Sequence, residues 1–146
     1  MTEMNDFAAI DRAIRTALSA QGFMGLVGAE ILAIAPGHTA LALARRPEVT
    51  QQHGFFHGGA IAFLVDNATT CAAATMIDRA NQGCLTAEYK LNFLSPATGE
   101  QLACEANVVK AGRTMSVVEA KVWSISETER KLCAVALATI AVVNVI

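Results

Sequence analysis

The sequence predicts an α+β fold: a six-stranded antiparallel sheet wrapped around one long central helix, with an additional N-terminal helix. Three observations lead there. The run Ala60–Ile77 is apolar almost throughout, longer than one strand, and rich in the helix formers Ala and Leu. After Gly83 the pattern changes to apolar alternation broken by turn residues, the period of strands. The chain has 146 residues, 53% of them hydrophobic and 16% charged, which suits one domain with a sizeable core. An apolar helix beside six strands cannot be solvated all round, and a sheet wrapped around it buries it. Its all-round hydrophobicity further suggests that a second subunit supplies part of the cover.

The elements follow in chain order. Phe7, Ile10, Ile14 and Leu18 recur at helical spacing, so residues 5–20 are expected to form an amphipathic helix ended by Gln21-Gly22. Residues 24–34 and 38–46 read as strands joined at the turn dipeptide Pro36-Gly37. A loop from Arg46-Pro47 leads to Gly58-Gly59 and the long helix. Leu85–Leu94 is a strand stopped by Ser95-Pro96, and Gln101–Lys110 alternates through Leu102, Cys104, Ala106 and Val108. Ala111-Gly112-Arg113 turns into Thr114–Ser126, where Val118, Ala120 and Val122 alternate with Glu119, Lys121 and Trp123. Lys131–Val145 is nearly all apolar and is expected to be covered on both faces. The expected organisation is a single domain over 1–146, with a helix in 1–21 and the core in 22–146.

Charge and cysteine usage narrow the function classes. The formal net charge is −2 and the cations are scattered apart from Arg45-Arg46, which argues against a nucleic-acid or membrane-surface partner. Cys71, Cys84, Cys104 and Cys133 form no CxxC pair and are expected as free thiols, not as a zinc or disulfide framework. Early acids rule against a signal peptide, and Asp66 within residues 58–77 rules against a membrane span. The expectation is a soluble, cytoplasmic protein.

The stretch around the long helix carries the chemistry. Gly58-Gly59 leaves the first backbone N–H groups of the helix sterically open, where the helix dipole adds partial positive charge. That suits an oxyanion developing on a carbonyl. Asp66 follows His57 by nine positions, about 13 Å of rise on a helix and about half a turn out of phase. The two cannot meet at one substrate atom within one chain. Antiparallel packing of two such helices in a dimer would instead bring Asp66 of one chain to Gly58 of the other. The plainer alternative for Asp66 is a helix residue hydrogen-bonded to Thr69 or Thr70. His53 and His57 lack a third partner, so no metal is expected.

These residues also carry a resemblance. Gly54-Phe55-Phe56-His57-Gly58-Gly59 followed by Leu64-Val65-Asp66-Asn67 resembles the HGG…D signature of hotdog-fold acyl-CoA thioesterases of the phenylacetic-acid-degradation type. Leu85 to Pro96, Gly99-Glu100 and Lys110-Ala111-Gly112-Arg113-Thr114 fit in order, so the resemblance spans roughly residues 22–145. It implies the hotdog fold, a homodimer formed through the sheets and often a homotetramer. It also implies hydrolysis of an acyl-CoA without a cofactor, CoA being part of the substrate. By position, Asp66 is the general base or nucleophile, the Gly58 N–H polarises the thioester carbonyl, and His57 supports that loop. Gln51 stands where the family usually has Asn, with Gln52 beside it as a competitor for the role. Thr86 stands where a hydroxyl assists Asp66. Gly59, Phe56, Asn67 and Thr70 are expected to contact substrate, and Lys110 and Arg113 to hold the CoA phosphates.

The chemistry agrees with these parts. A thioester carbonyl is electrophilic and has a good leaving group, so an oriented water, a carboxylate and an oxyanion hole suffice. No GxSxG or GxGxxG is present. Two rival readings on the same fold are a non-catalytic acyl-CoA sensor and an enoyl-CoA hydratase.

Overall fold

The computed structural model describes residues 2–145, with side chains from Phe7 onward. Met1 and Ile146, the ends of the expected range 1–146, lie outside them. Helix α1 (Thr2–Ser19) buries Ile14 and Leu18, one turn apart on its inner face. The strand expected over residues 24–34 is instead two elements, a short helix α2 (Gly22–Val27) and strand β1 (Ala29–Ala35). The cause is local. Gly28 adopts φ 74°, and its N–H bonds the Met24 carbonyl at 3.0 Å, closing α2 with a left-handed cap. The Arg46 guanidinium donates to the Leu26 carbonyl, and Met24 drops into the core. A four-residue apolar run has no period that separates a strand from a helix turn.

Strand β2 (His38–Ala44) pairs with β1 across Pro36-Gly37, where Gly37 takes φ 69°. A 3-10 turn (Pro47–Val49) and a loop lead to the long helix α3 (Gly58–Ala74). It starts two residues before the expected Ala60, so Gly58-Gly59 is its first turn, and it stops before Ile77. Thr75 caps its end: the hydroxyl donates to the Ala72 carbonyl at 2.7 Å and accepts the Gly37 N–H at 2.7 Å, tying α3 to the β1–β2 turn. Strands β3 (Gln82–Phe93), β4 (Gln101–Ala111), β5 (Met115–Ile125) and β6 (Arg130–Asn144) complete the sheet. Its order is β1-β2-β4-β5-β6-β3, with every neighbouring pair antiparallel. One helix laid along a six-stranded antiparallel sheet is the hotdog fold. Among the described residues no helix is long and apolar enough to cross a membrane.

The core lies between α3 and one sheet face. Ile61, Leu64, Val65, Ala68 and Ala72 join Leu41, Leu43, Leu102, Cys104, Val118, Val122 and Ile140 in one buried cluster. Strand β5 shows the alternation plainly, burying Ser116, Val118, Ala120, Val122 and Ser124. Strand β6 was expected to be covered on both faces, yet Leu137 is 52% exposed, because α3 covers only one side. Nor is α3 buried all round in this chain: Gly58, Ala62, Asp66, Asn67 and Thr70 are half-buried, and Gly59 is exposed. Strand β3 is a sheet edge that leaves Leu85 62% and Phe93 57% exposed. Its pairing with β6 shifts between Thr86 and Glu88, a bulge at Ala87.

Candidate active site

The first half of the site is the loop that delivers the chain to α3. Gln51 N–H bonds the Phe55 carbonyl at 2.8 Å and Gly54 N–H bonds the Gln51 carbonyl at 2.9 Å, a tight turn made possible by φ 83° at Gly54. Arg45 clamps this turn by donating to the Gly54 carbonyl and, at 2.8 Å, to the Thr98 carbonyl. Phe56 N–H bonds the Ala97 carbonyl at 3.0 Å and His57 N–H bonds the Val49 carbonyl at 2.9 Å. The loop is therefore fixed on both sides before the helix begins.

His57 is the N-cap of α3, and its Nδ1 accepts the Gly59 N–H at 2.8 Å. An accepting Nδ1 places the ring proton of the neutral imidazole on Nε2. The His57 carbonyl takes the N–H groups of Ala60 and Ile61 at 2.9 and 3.3 Å. Among the described residues the Gly58 N–H alone in this first turn has no acceptor. It opens into a pocket of about 390 Å³ whose walls include Gln51, Phe55, Phe56, Phe93 and Leu94. Gln51 is half-buried there, and its side-chain carbonyl accepts the His53 N–H, which leaves the amide NH₂ as the free end. Gln52 is exposed and outside that pocket. The loop thus presents Gly58 and Gln51 together, both as donors.

The second half lies two turns further along α3. Thr86 on β3 donates to Asp66 Oδ1 at 2.6 Å, and the Thr70 and Thr86 hydroxyls are 2.8 Å apart. Thr86 has one proton and spends it on the carboxylate, so Thr70 is the donor in the second bond. The local alternative for Asp66 does not hold. The Thr69 hydroxyl bonds the Val65 carbonyl at 2.8 Å and the Asp66 backbone carbonyl at 3.2 Å, not the carboxylate. Asn67 turns back along the helix to the Phe63 carbonyl at 3.3 Å. The Ala87 bulge adjoins Thr86, the kind of irregularity that re-aims a side chain beside a site.

The structure therefore sorts the sequence-derived residues into groups. Gln51, Phe56, His57, Gly58 and Gly59 gather at the start of α3. Asp66, Asn67, Thr70 and Thr86 gather at its third and fourth turns. His57 and Asp66 do not meet, each ring or carboxylate having its own partner. Lys110 and Arg113 are exposed on the β4–β5 hairpin. The register Ala111↔Ser116↔Ile140↔Thr86 links that hairpin to Thr86. Three strand spacings separate the two, about 14 Å. The cations thus sit at the Asp66 end, not at the Gly58 end. Sequence reasoning missed the Arg45 clamp, for which the Arg45-Arg46 pair was the only signal, and the Thr70–Thr86 bond, for which there was none.

Among the described residues no cysteine thiol hydrogen-bonds a residue of either half-site, the Cys133 thiol donating instead to the Val122 carbonyl. Cys71, Cys104 and Cys133 are buried, Cys84 is half-buried, and all four are free. Burial pushes the Cys71 thiol up to about 12, with Arg79 partly opposing, so it is protonated at neutral pH. Among the described residues no three His, Cys, Asp or Glu side chains are grouped to hold a metal ion.

Comparison with known proteins gives the same picture. The sequence model of the Thioesterase superfamily matches residues 53–131. The human protein Acyl-coenzyme A thioesterase 13 is 30% identical over 118 residues, covering 80% of this chain and 81% of its own. The crystal structure of a thioesterase family protein from Silicibacter pomeroyi superposes with a TM-score of 0.90 at 34% identity, covering 93% of this chain and 99% of that one. The Escherichia coli PaaI protein of the phenylacetic acid degradation operon shares the fold, with a TM-score of 0.80 at 16% identity over 92% of this chain and 93% of its own.

Proposed function

The chain belongs to the thioesterase superfamily, and from that premise we propose that it hydrolyses acyl-CoA thioesters to the free acid and CoA. The active sites are shared between the subunits of a homodimer. The observation that carries this reading is the pair of half-sites on one helix: an unpartnered Gly58 N–H at its start and the Asp66–Thr86 pair two turns on.

The geometry supports a two-fold that joins them. A Cβ built on Gly58 would lie 3.2 Å from Phe93 Cζ, while Asp66 bonds Thr86, so α3 and β3 run antiparallel with 58 beside 93 and 66 beside 86. The midpoints are Ala62 on the helix and the Tyr89-Lys90 bond on the strand. A dyad perpendicular to α3 and β3, level with those midpoints but passing just outside the chain, brings Asp66 and Thr86 of one protomer beside Gly58 and Phe93 of its partner. Strand β3 is an edge, free to pair antiparallel with its own copy about that dyad. Such pairing covers Leu85 and Phe93, which otherwise form an apolar strand edge open to further association. The helix face it brings together is built of Gly59, Ala62, Asp66 and Thr70, small enough for close approach. The sheet faces left open by β6 are the surfaces for a further pairing into a homotetramer.

In this site the Gly58 N–H and the Gln51 amide hold the thioester oxygen, and the N-terminal dipole of α3 favours the charge that develops there. His57 positions the loop by occupying Gly59, which leaves Gly58 free for substrate. Asp66 takes a proton from a water whose oxygen bonds the carbonyl carbon. The C–S bond then breaks, and the proton passes from Asp66 to the departing thiolate. Attack by the carboxylate itself, with water opening the resulting anhydride, uses the same atoms; the two routes differ in whether solvent ¹⁸O enters Asp66. Thr86, oriented by Thr70, fixes the carboxylate for either route. Lys110 and Arg113 lie at the Asp66 end to meet the CoA phosphates. No further cofactor takes part.

Asp66→Asn tests the reading. It keeps the shape and the Thr86 contact but removes the base and nucleophile, so thiol release from acyl-CoA should fall to background while the circular dichroism spectrum is unchanged. Wild-type protein that binds acyl-CoA in a calorimeter yet releases no thiol refutes hydrolysis in favour of sensing.

A further inference from the structure

A second pocket adjoins the same loop on its other side. It has a volume of about 430 Å³, and its walls are formed by Phe23, Leu26 and Val27 of α2 against Ala60 and Phe63 of α3, with Val49 beneath. Phe23 and Phe63 meet edge to face at 5.0 Å between ring centroids. The one acid on it, Glu48, is exposed. His57 and Gly59 also line it, so it reaches the turn that carries the Gly58 N–H. The pocket on the Gln51 side holds the donors for a carbonyl, whereas this one is walled by hydrocarbon. Gly59 lies in its wall with no side chain; a Cβ there would come within 2.9 Å of His57 Nδ1.

We infer that this groove between α2 and α3 takes the acyl tail of the substrate, and that its shape selects straight aliphatic chains over single-ring acyl groups. The inference rests on the thioesterase reading above. A benzene ring fills a cavity of about 150 Å³, so a single aromatic ring under-fills a groove of about 430 Å³. A flexible chain instead lays successive methylenes along α2, past Phe63 and Leu26. Leu26 is 70% exposed and Phe23 57% exposed, although both are large and apolar. A chain in the groove gives these side chains the apolar cover that the fold leaves out. Helix α2 is thereby the specificity element. The left-handed cap at Gly28 and the bond from Arg46 to the Leu26 carbonyl hold it in place. Glu48 at the groove disfavours tails ending in a carboxylate.

The test compares butanoyl-CoA, decanoyl-CoA and phenylacetyl-CoA with wild type and Leu26→Glu, a substitution at an exposed groove position that carries neither the oxyanion donor nor the carboxylate. In the wild type each methylene that enters the groove should raise kcat/KM by about fourfold, and decanoyl-CoA should outrun phenylacetyl-CoA. Leu26→Glu should lower kcat/KM for decanoyl-CoA at least tenfold, on the order of two lost methylenes, and lower it less for butanoyl-CoA, whose shorter chain reaches less of the groove. Equal effects on both chain lengths, or phenylacetyl-CoA as the faster wild-type substrate, overturn the inference while leaving the hydrolase reading intact. If none of the three is hydrolysed, the hydrolase reading fails. Calorimetry with decanoate then decides the groove: weaker binding by Leu26→Glu supports it, and equal binding overturns it.

Discussion

Gly58→Pro isolates one backbone hydrogen. Proline at the first position of a helix costs nothing in hydrogen bonding, because that N–H has no intrahelical acceptor. Its fixed φ suits the helix start, and His57 at φ −64° and ψ 138° already has the extended conformation that a residue before proline needs. A Cβ at this position meets Phe93, whose nearest atom is 3.2 Å away. Gly58→Ala makes the same contact and keeps the N–H, so it is the control. Loss of one oxyanion donor lowers kcat by about 10²–10³-fold, or roughly 2.7–4 kcal/mol. The proline should leave thermal stability equal or raise it by about 0.4–1 kcal/mol, through the unfolded chain. The assay is thiol release from acyl-CoA beside a thermal melt. A folded Gly58→Pro enzyme with kcat within about threefold of Gly58→Ala would refute the assignment of the Gly58 N–H as an oxyanion donor.

Three further outcomes follow from the structure. Thr86→Val removes the hydroxyl that bonds Asp66 at 2.6 Å, and a hydrogen bond to a charged group contributes about 1.5–3 kcal/mol, so kcat should fall by about 10–150-fold. Thr70→Val should give a smaller loss, since it acts only through Thr86; equal losses would contradict that order. The Cys71 thiol, raised by burial from 9.0 to about 12, makes folding prefer the protonated form. Its contribution is fully present below pH 9.0 and is lost as pH rises towards 12, at about 1.4 kcal/mol per pH unit. Denaturant unfolding of wild type and Cys71→Ala across pH 8–11 should show the steeper decline only in the wild type.

Which parts were legible in the sequence has physical reasons. Helix α3 was readable because Ala60 to Ala74 is apolar beyond the length of a strand, and β5 because Val118, Ala120 and Val122 alternate with polar neighbours. Helix α2 was not, because Met24 to Val27 is too short for its period to speak. The cap at Gly28 and the donor from Arg46, eighteen residues after it, decide its form. The chemistry of Gly58 and Asp66 was legible from glycines before a helix and from a carboxylate nine residues past His57, a spacing that forbids their pairing in one chain. Thr86 came through resemblance, and the bulge at Ala87 that adjoins it has no mark in the residues themselves. The groove under α2 was invisible for the same reason as α2.

The central claim is that each active site takes Gly58 from one protomer and Asp66 from its partner. Co-expression of Asp66→Asn and Gly58→Pro chains, purified through two different tags, tests it most directly. Each variant alone should be inactive by about 10²-fold or more. A mixed dimer should rebuild one intact site of two, so a statistical mixture recovers about a quarter of wild-type activity and the purified heterodimer about half. No recovery in the heterodimer would place both groups in the same chain and contradict the account.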